Sequence, residues 1–180
     1  MKKVLAILTS LMISIAALVA TPGDTLIITA NVPKVAPKLI MKGGFSGDSF
    51  TTTATQEGAT LKYGGDVSES NLTVYIQLLQ DNVSKYKNNF TATVTASNLV
   101  GENISVPATA ANSTNISGNN LNVTGSASGN TATFNLNYLT GRSVPANTLI
   151  GNASFTWATT AADMVAGNYT ATITMEYTAP

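Results

Sequence analysis

The chain has 180 residues, only 10% of them charged, with nine basic residues matching nine acidic ones and with no His and no Cys. An ordinary soluble protein carries about 25% charged residues. The missing His and Cys exclude a Ser-His-Asp triad, thiolate chemistry, a His/Cys zinc site and any disulfide. A near-neutral chain without basic clusters is also a poor partner for nucleic acid or an anionic membrane.

In chain order, the first element is an address. Met1-Lys2-Lys3 is a short positive region, and Val4 to Ala20 is an apolar stretch broken only by Thr9, Ser10 and Ser14. That pattern reads as a cleaved export signal over residues 1–20, with Ala20 as the small residue at the cut and Ser14-Ile15-Ala16 as a second possible site. The run is 17 residues, near the lower limit for a membrane span, and no basic stop-transfer cluster follows it. The mature chain is expected outside the cytoplasm, with seven basic against nine acidic groups. A chain of this length buries enough surface to do without disulfides.

Period-2 alternation recurs from there to the end. Leu26, Ile28, Ala30 and Val32 share one face of a first strand, which Pro33 cuts off. Leu72, Val74, Ile76 and Leu78 repeat the pattern, followed by Phe90, Ala92, Val94 and Ala96. The residues from Ala108 to Asn130 are rich in Ala, Asn, Ser, Thr and Gly, and read as a long loop with an edge hairpin around Leu121–Val123. Phe134, Leu136 and Tyr138 form the next row, then Leu149, Ala153, Phe155 and Trp157. The clearest row is the last: Tyr169, Ala171, Ile173, Met175 and Tyr177, with Thr170, Thr172, Thr174 and Glu176 facing the other way. Breaks at Gly43-Gly44, Gly64-Gly65, Pro107, Gly118, Gly125, Gly129, Pro145 and Gly167 separate the runs. About seven or eight strands without a convincing helix predict an all-β, antiparallel β-sandwich in one domain.

A search for chemistry yields little. The acidic residues are scattered, no spacing matches an EF-hand, and no glycine loop opens a helix. Sequons such as Asn71-Leu72-Thr73 are what a chain rich in Asn and Thr produces by chance. Trp157 shares a face with Phe155, which points to core packing rather than a sugar platform. The reading is of a protein that is not an enzyme and takes no cofactor.

The ends carry the rest. After the signal comes DTLIITANVP (24–33), a proline-bounded alternating strand that is free to pair away from its own domain. At the other end stands AGNYTATITMEYT (166–178). With these two motifs in place, the chain resembles a structural pilin of the chaperone–usher fimbriae. It is most similar to the cysteine-free branch of colonization-factor pilins (class 5, alpha-type).

The resemblance implies an immunoglobulin-like sandwich that lacks its final strand and is completed by a donor strand from another copy. It divides the chain into a signal peptide (1–20), an N-terminal donor-strand extension (21–33) and a β-sandwich domain (34–180). Leu26, Ile28, Ala30 and Val32 become the groove-filling row of the donor, and the final strand with Gly167, Tyr169, Ile173, Met175 and Tyr177 becomes the wall of the groove. Many members carry a glycine fourteenth from the C-terminus, where Gly167 stands, and a tyrosine second from it, whereas Tyr177 is fourth. The implied function is that of a polymerising subunit of a surface fimbria that supports adhesion. The implied partners are further copies of itself, a periplasmic chaperone, an outer-membrane usher, a tip adhesin and a host receptor. The alternative is a secreted, self-contained carbohydrate-binding sandwich, or a polyadhesin, with Trp157 or Tyr138 touching sugar.

Overall fold

A computed structural model describes residues 35–45, 50, 52–55, 60–65, 71–102, 104–113, 120–159 and 167–177. The signal segment and the arm with Leu26, Ile28, Ala30 and Val32 lie outside the described residues. Twelve strands are present among those described: β1 (Leu39–Gly44), β2 (Thr52–Thr55), β3 (Thr60–Gly65), β4 (Leu72–Gln80), β5 (Asn89–Ala96) and β6 (Leu99–Val100), then β7 (Ser105–Val106), β8 (Ala108–Ser113), β9 (Leu121–Ser128), β10 (Thr131–Tyr138), β11 (Thr148–Trp157) and β12 (Tyr169–Tyr177).

One sheet runs β2-β1-β4-β11-β8. The other runs from β6 and β7 through β12, β5 and β10 to β9, and β3 also pairs with β12. Every pairing is antiparallel. The expected all-β sandwich is therefore the observed architecture. The rows Val74/Ile76/Leu78, Ala92/Val94/Ala96, Phe134/Leu136/Tyr138 and Tyr169/Ala171/Ile173/Met175 are buried in one common core. The outward rows are largely Thr and Asn, a branched or polar surface that suits exposed pleats. Hydroxyl pairs such as Thr73–Thr156 at 2.9 Å and Thr95–Thr131 at 3.1 Å bridge neighbouring strands on those faces.

Three expectations need correction. The stretch from Ala108 is not a loop, because β8 adds an edge to the first sheet and β9 adds one to the second. The small residues that suggest a loop are what the site requires. Ala108 lies opposite Trp157 and Ala110 opposite Phe155, where a larger side chain would compete with two buried aromatic rings. Gly43-Gly44 and Gly125 are not breaks either but lie within β1 and β9, whereas Gly129 begins a two-residue turn at φ 55° between β9 and β10. The third correction concerns β11. Its register against β4 shifts between Leu149 and Gly151, and Ile150 is fully buried while Leu149 is half-buried. A bulge there moves Ile150 onto the core face in place of Leu149.

A second irregularity positions the final strand. β5 and β6 flank the same side of β12, with Ile173 opposite Ala96 and Thr170 opposite Val100. The extra residue falls at Ser97–Asn98. There the Ser97 amide donates to the Thr172 carbonyl at 2.8 Å and the Thr172 amide donates to Ser97 Oγ at 2.9 Å. The side-chain hydroxyl replaces a ladder acceptor that the bulge removes.

Candidate functional site: the final strand and the root of the chain

β12 is central to its sheet and apolar on its inner side. Tyr169, Ala171, Ile173 and Met175 are buried, and Tyr177 is half-buried at the strand's end. Gly167, singled out in the sequence, is a half-buried bend residue two positions before the strand. Gly101 lies directly against Tyr169: a Cβ on Gly101 would clash with Tyr169 Cε1. Only glycine leaves the ring that space.

The two sides of β12 are unequal. β5 pairs with Ile173–Tyr177 and β6 meets Thr170 on one side. On the other, β3 pairs with Tyr169 through Thr174. Among the described residues, Met175, Glu176 and Tyr177 thus have a ladder neighbour on one side only. That second side carries β3 along most of β12, and residues 56–59, which precede β3, lie outside the described residues. β3 ends in Gly64-Gly65, which lie opposite Thr170 and Tyr169.

The end of β12 lies beside the start of β1. The amide of Leu39 donates to Tyr177 Oη at 3.0 Å, which ties the beginning of β1 to the end of β12. The residues preceding β1 are held to the segment after β4. The Lys38 amide donates to Asn82 Oδ1 at 2.8 Å, Asn82 Nδ2 donates to the Ala36 carbonyl at 2.8 Å, and Ser84 Oγ donates to the Val35 carbonyl at 2.7 Å. The Lys38 ammonium also pairs with Asp81 at 3.0 Å, a half-exposed contact of small energetic value. Sequence reading missed this clamp. Its only signal is a polar Asp81-Asn82-Val83-Ser84 directly after an apolar strand.

Beneath the clamp lies an aromatic and amide cluster. Phe90 stacks on Tyr138 with centroids 5.9 Å apart and is tilted against Tyr177 at 6.0 Å, and Tyr86 meets Tyr138 edge-on at 5.7 Å. The Tyr138 hydroxyl donates to Gln80 Oε1, and Gln80 Nε2 donates to the carbonyls of Asn82 and Val144. Gln80 is fully buried, so these bonds satisfy an amide that would otherwise be costly there. Burial raises the Tyr138 phenol well above its ordinary value, with Tyr177 and Tyr86 adding to the rise. The hydroxyl therefore stays a donor throughout the physiological range.

The alternative sugar platforms do not serve. Trp157 is 0% exposed and Tyr138 2% exposed, and both belong to the core. Among the described residues no group of three His, Cys, Asp or Glu side chains is placed to hold a metal ion. No helix among them is long and apolar enough to cross a membrane. A scan against protein-family models matches none of them, and searches of curated proteins and of solved structures find no similar chain.

Proposed function

We propose that the chain is the structural subunit of a surface fimbria, polymerising when the arm of one copy adds a strand beside β12 of the next. The observation that supports this reading is the flanking of β12, a buried apolar strand whose described partner on one side, β3, pairs only as far as Thr174. An incoming strand pairs along this side of β12 and displaces β3 from Tyr169–Thr174. Main-chain bonds supply the affinity and the alternate side chains Leu26, Ile28, Ala30 and Val32 supply the fit. Burial of Leu26, Ile28 and Val32 contributes about 1.5–3 kcal/mol each. A head-to-tail contact of this kind does not close on itself and makes a filament.

On this reading the domain is an immunoglobulin-like sandwich completed in trans. Before assembly, the exported subunit needs a periplasmic chaperone to cover the same edge and an usher to pass it to the surface. A tip adhesin and a host receptor complete the set of partners. The test is Ile28→Asp. The variant should remain soluble with a chaperone strand in place yet form no fibres. Normal polymerisation by this variant would show that the arm is not the donor.

A further inference from the structure

The outer face of β5, β10 and β9 holds a feature that polymerisation does not use. In one cross-strand row, Asn89 lies opposite Asn137, which lies opposite Asn122. In the next, Thr91 lies opposite Asn135, which lies opposite Thr124. All six side chains are exposed, and they line a shallow concavity of about 540 Å³. Strand spacing sets neighbours about 4.8 Å apart across the rows and about 7 Å apart along the strands. The grid is thus about 10 Å by 7 Å, roughly the footprint of two sugar rings. Its volume falls within the range of small-molecule sites.

The chemistry of the grid is unusually uniform. None of the six residues carries a charge. Four are amides, each with two donor hydrogens and one acceptor oxygen, and two are hydroxyls that do both. Only Thr91 Oγ1 and Asn135 Oδ1 are paired with each other, at 2.9 Å. The side-chain amides of Asn89, Asn122 and Asn137 have no protein partner among the described residues. Water holds their bonding capacity, and a ligand gains by reproducing those bonds from a rigid, preorganised frame.

We propose that this grid is a binding site for a neutral saccharide. Vicinal hydroxyls donate and accept at short spacing, which an amide meets with both of its ends at once. An acidic ligand such as a nucleic acid or sulfated glycan would need cations that the grid lacks. Face-to-face packing of a second copy would bury little apolar area and so lacks the main driving force for association. The site is independent of the fibre reading, since it lies on the opposite face of the sheet from the buried row of β12.

The test is binding of the full chain to an immobilised panel of neutral, sialylated and sulfated oligosaccharides. Binding to one or more neutral members is expected. Asn135→Ala and Asn137→Ala should each weaken it about tenfold, equivalent to about 1.4 kcal/mol. Gln77→Ala, on the outer face of the other sheet, should leave it unchanged. Asn122→Leu on the edge strand β9 serves as a second variant, and the circular dichroism of each variant is recorded alongside. Failure to bind any neutral saccharide would overturn the proposal, as would binding that survives Asn135→Ala combined with Asn137→Ala. Loss of self-association in that double variant, without saccharide binding by the parent, would assign the face to a second copy instead.

Discussion

The indole nitrogen of Trp157 donates to the main-chain carbonyl of Ser97 at 3.0 Å, joining β11 in one sheet to the bulge beside β12 in the other. Ser97 therefore closes the β12 ladder with its amide and hydroxyl while its carbonyl serves the core. Trp157→Phe should remove the donor and leave that carbonyl unpaired, at about 1–3 kcal/mol in chemical denaturation. A loss below about 0.5 kcal/mol would mean that water or a local shift replaces the bond.

Gly101 and Tyr169 make a second pair of this kind. Gly101→Ala forces the ring aside and should cost about 1–3 kcal/mol by overpacking. Combining it with Tyr169→Leu, which removes the clashing ring, should give a smaller loss than the sum of the two single changes. Strict additivity in that cycle would contradict the contact.

Tyr138 sets the behaviour at high pH. Its phenol ionises less readily in the folded chain than at the ordinary value of 10.0, mainly through burial. The folded state thus holds the proton more tightly than the unfolded state. Its contribution to stability is complete below about pH 10 and falls as pH rises above that value. Denaturation curves between pH 8 and pH 12 should show this decline, and Tyr138→Phe should flatten it. Because the same change leaves Gln80 Oε1 without its donor, it should also cost about 1–3 kcal/mol at neutral pH.

Asn82 holds the Ala36–Lys38 backbone ahead of β1 through both ends of its amide. Asn82→Ala should lower global stability by about 1–2 kcal/mol. It should also speed hydrogen exchange at the Lys38 amide far more than at core amides such as Val94. Equal acceleration at both sites would show that the clamp is not a local device.

Much of the fold is visible in the period-2 rows, because burial on one face of a pleated strand imposes that period on the residues. The row from Tyr169 to Met175 is the plainest case, and each of its four members is buried. β8 is hidden for a physical reason: opposite Trp157 and Phe155, its partners on β11, small residues fit best, and these carry no strand signal of their own. The bulge at Ile150 is hidden because one inserted residue reverses the parity on which the pattern rests. Gln80 reads as a polar end to β4, yet it is fully buried because Tyr138, Asn82 and Val144 meet it from distant parts of the chain. Of the candidate site, the apolar wall of β12 was legible, whereas β3 beside it and the clamp at Val35–Lys38 depend on long-range pairing. Leu26, Ile28, Ala30 and Val32, the expected donor row, lie outside the described residues.

The absence of cysteine allows a direct test of strand addition between copies. Glu176→Cys places one thiol on the exposed side of the C-terminal end of β12, and Ile27→Cys, Thr29→Cys or Asn31→Cys places another in residues 21–33. Two single-cysteine chains are mixed, assembled and oxidised, and the mixed disulfide is sought by mass spectrometry. Cross-strand neighbours with Cα atoms about 4.4–6.8 Å apart can form that bond, and more distant ones cannot. The account predicts a mixed disulfide for one arm position and none for Thr93→Cys, whose strand β5 lies on the far side of β12. Filaments that form without a mixed disulfide at any of the three arm positions would contradict it.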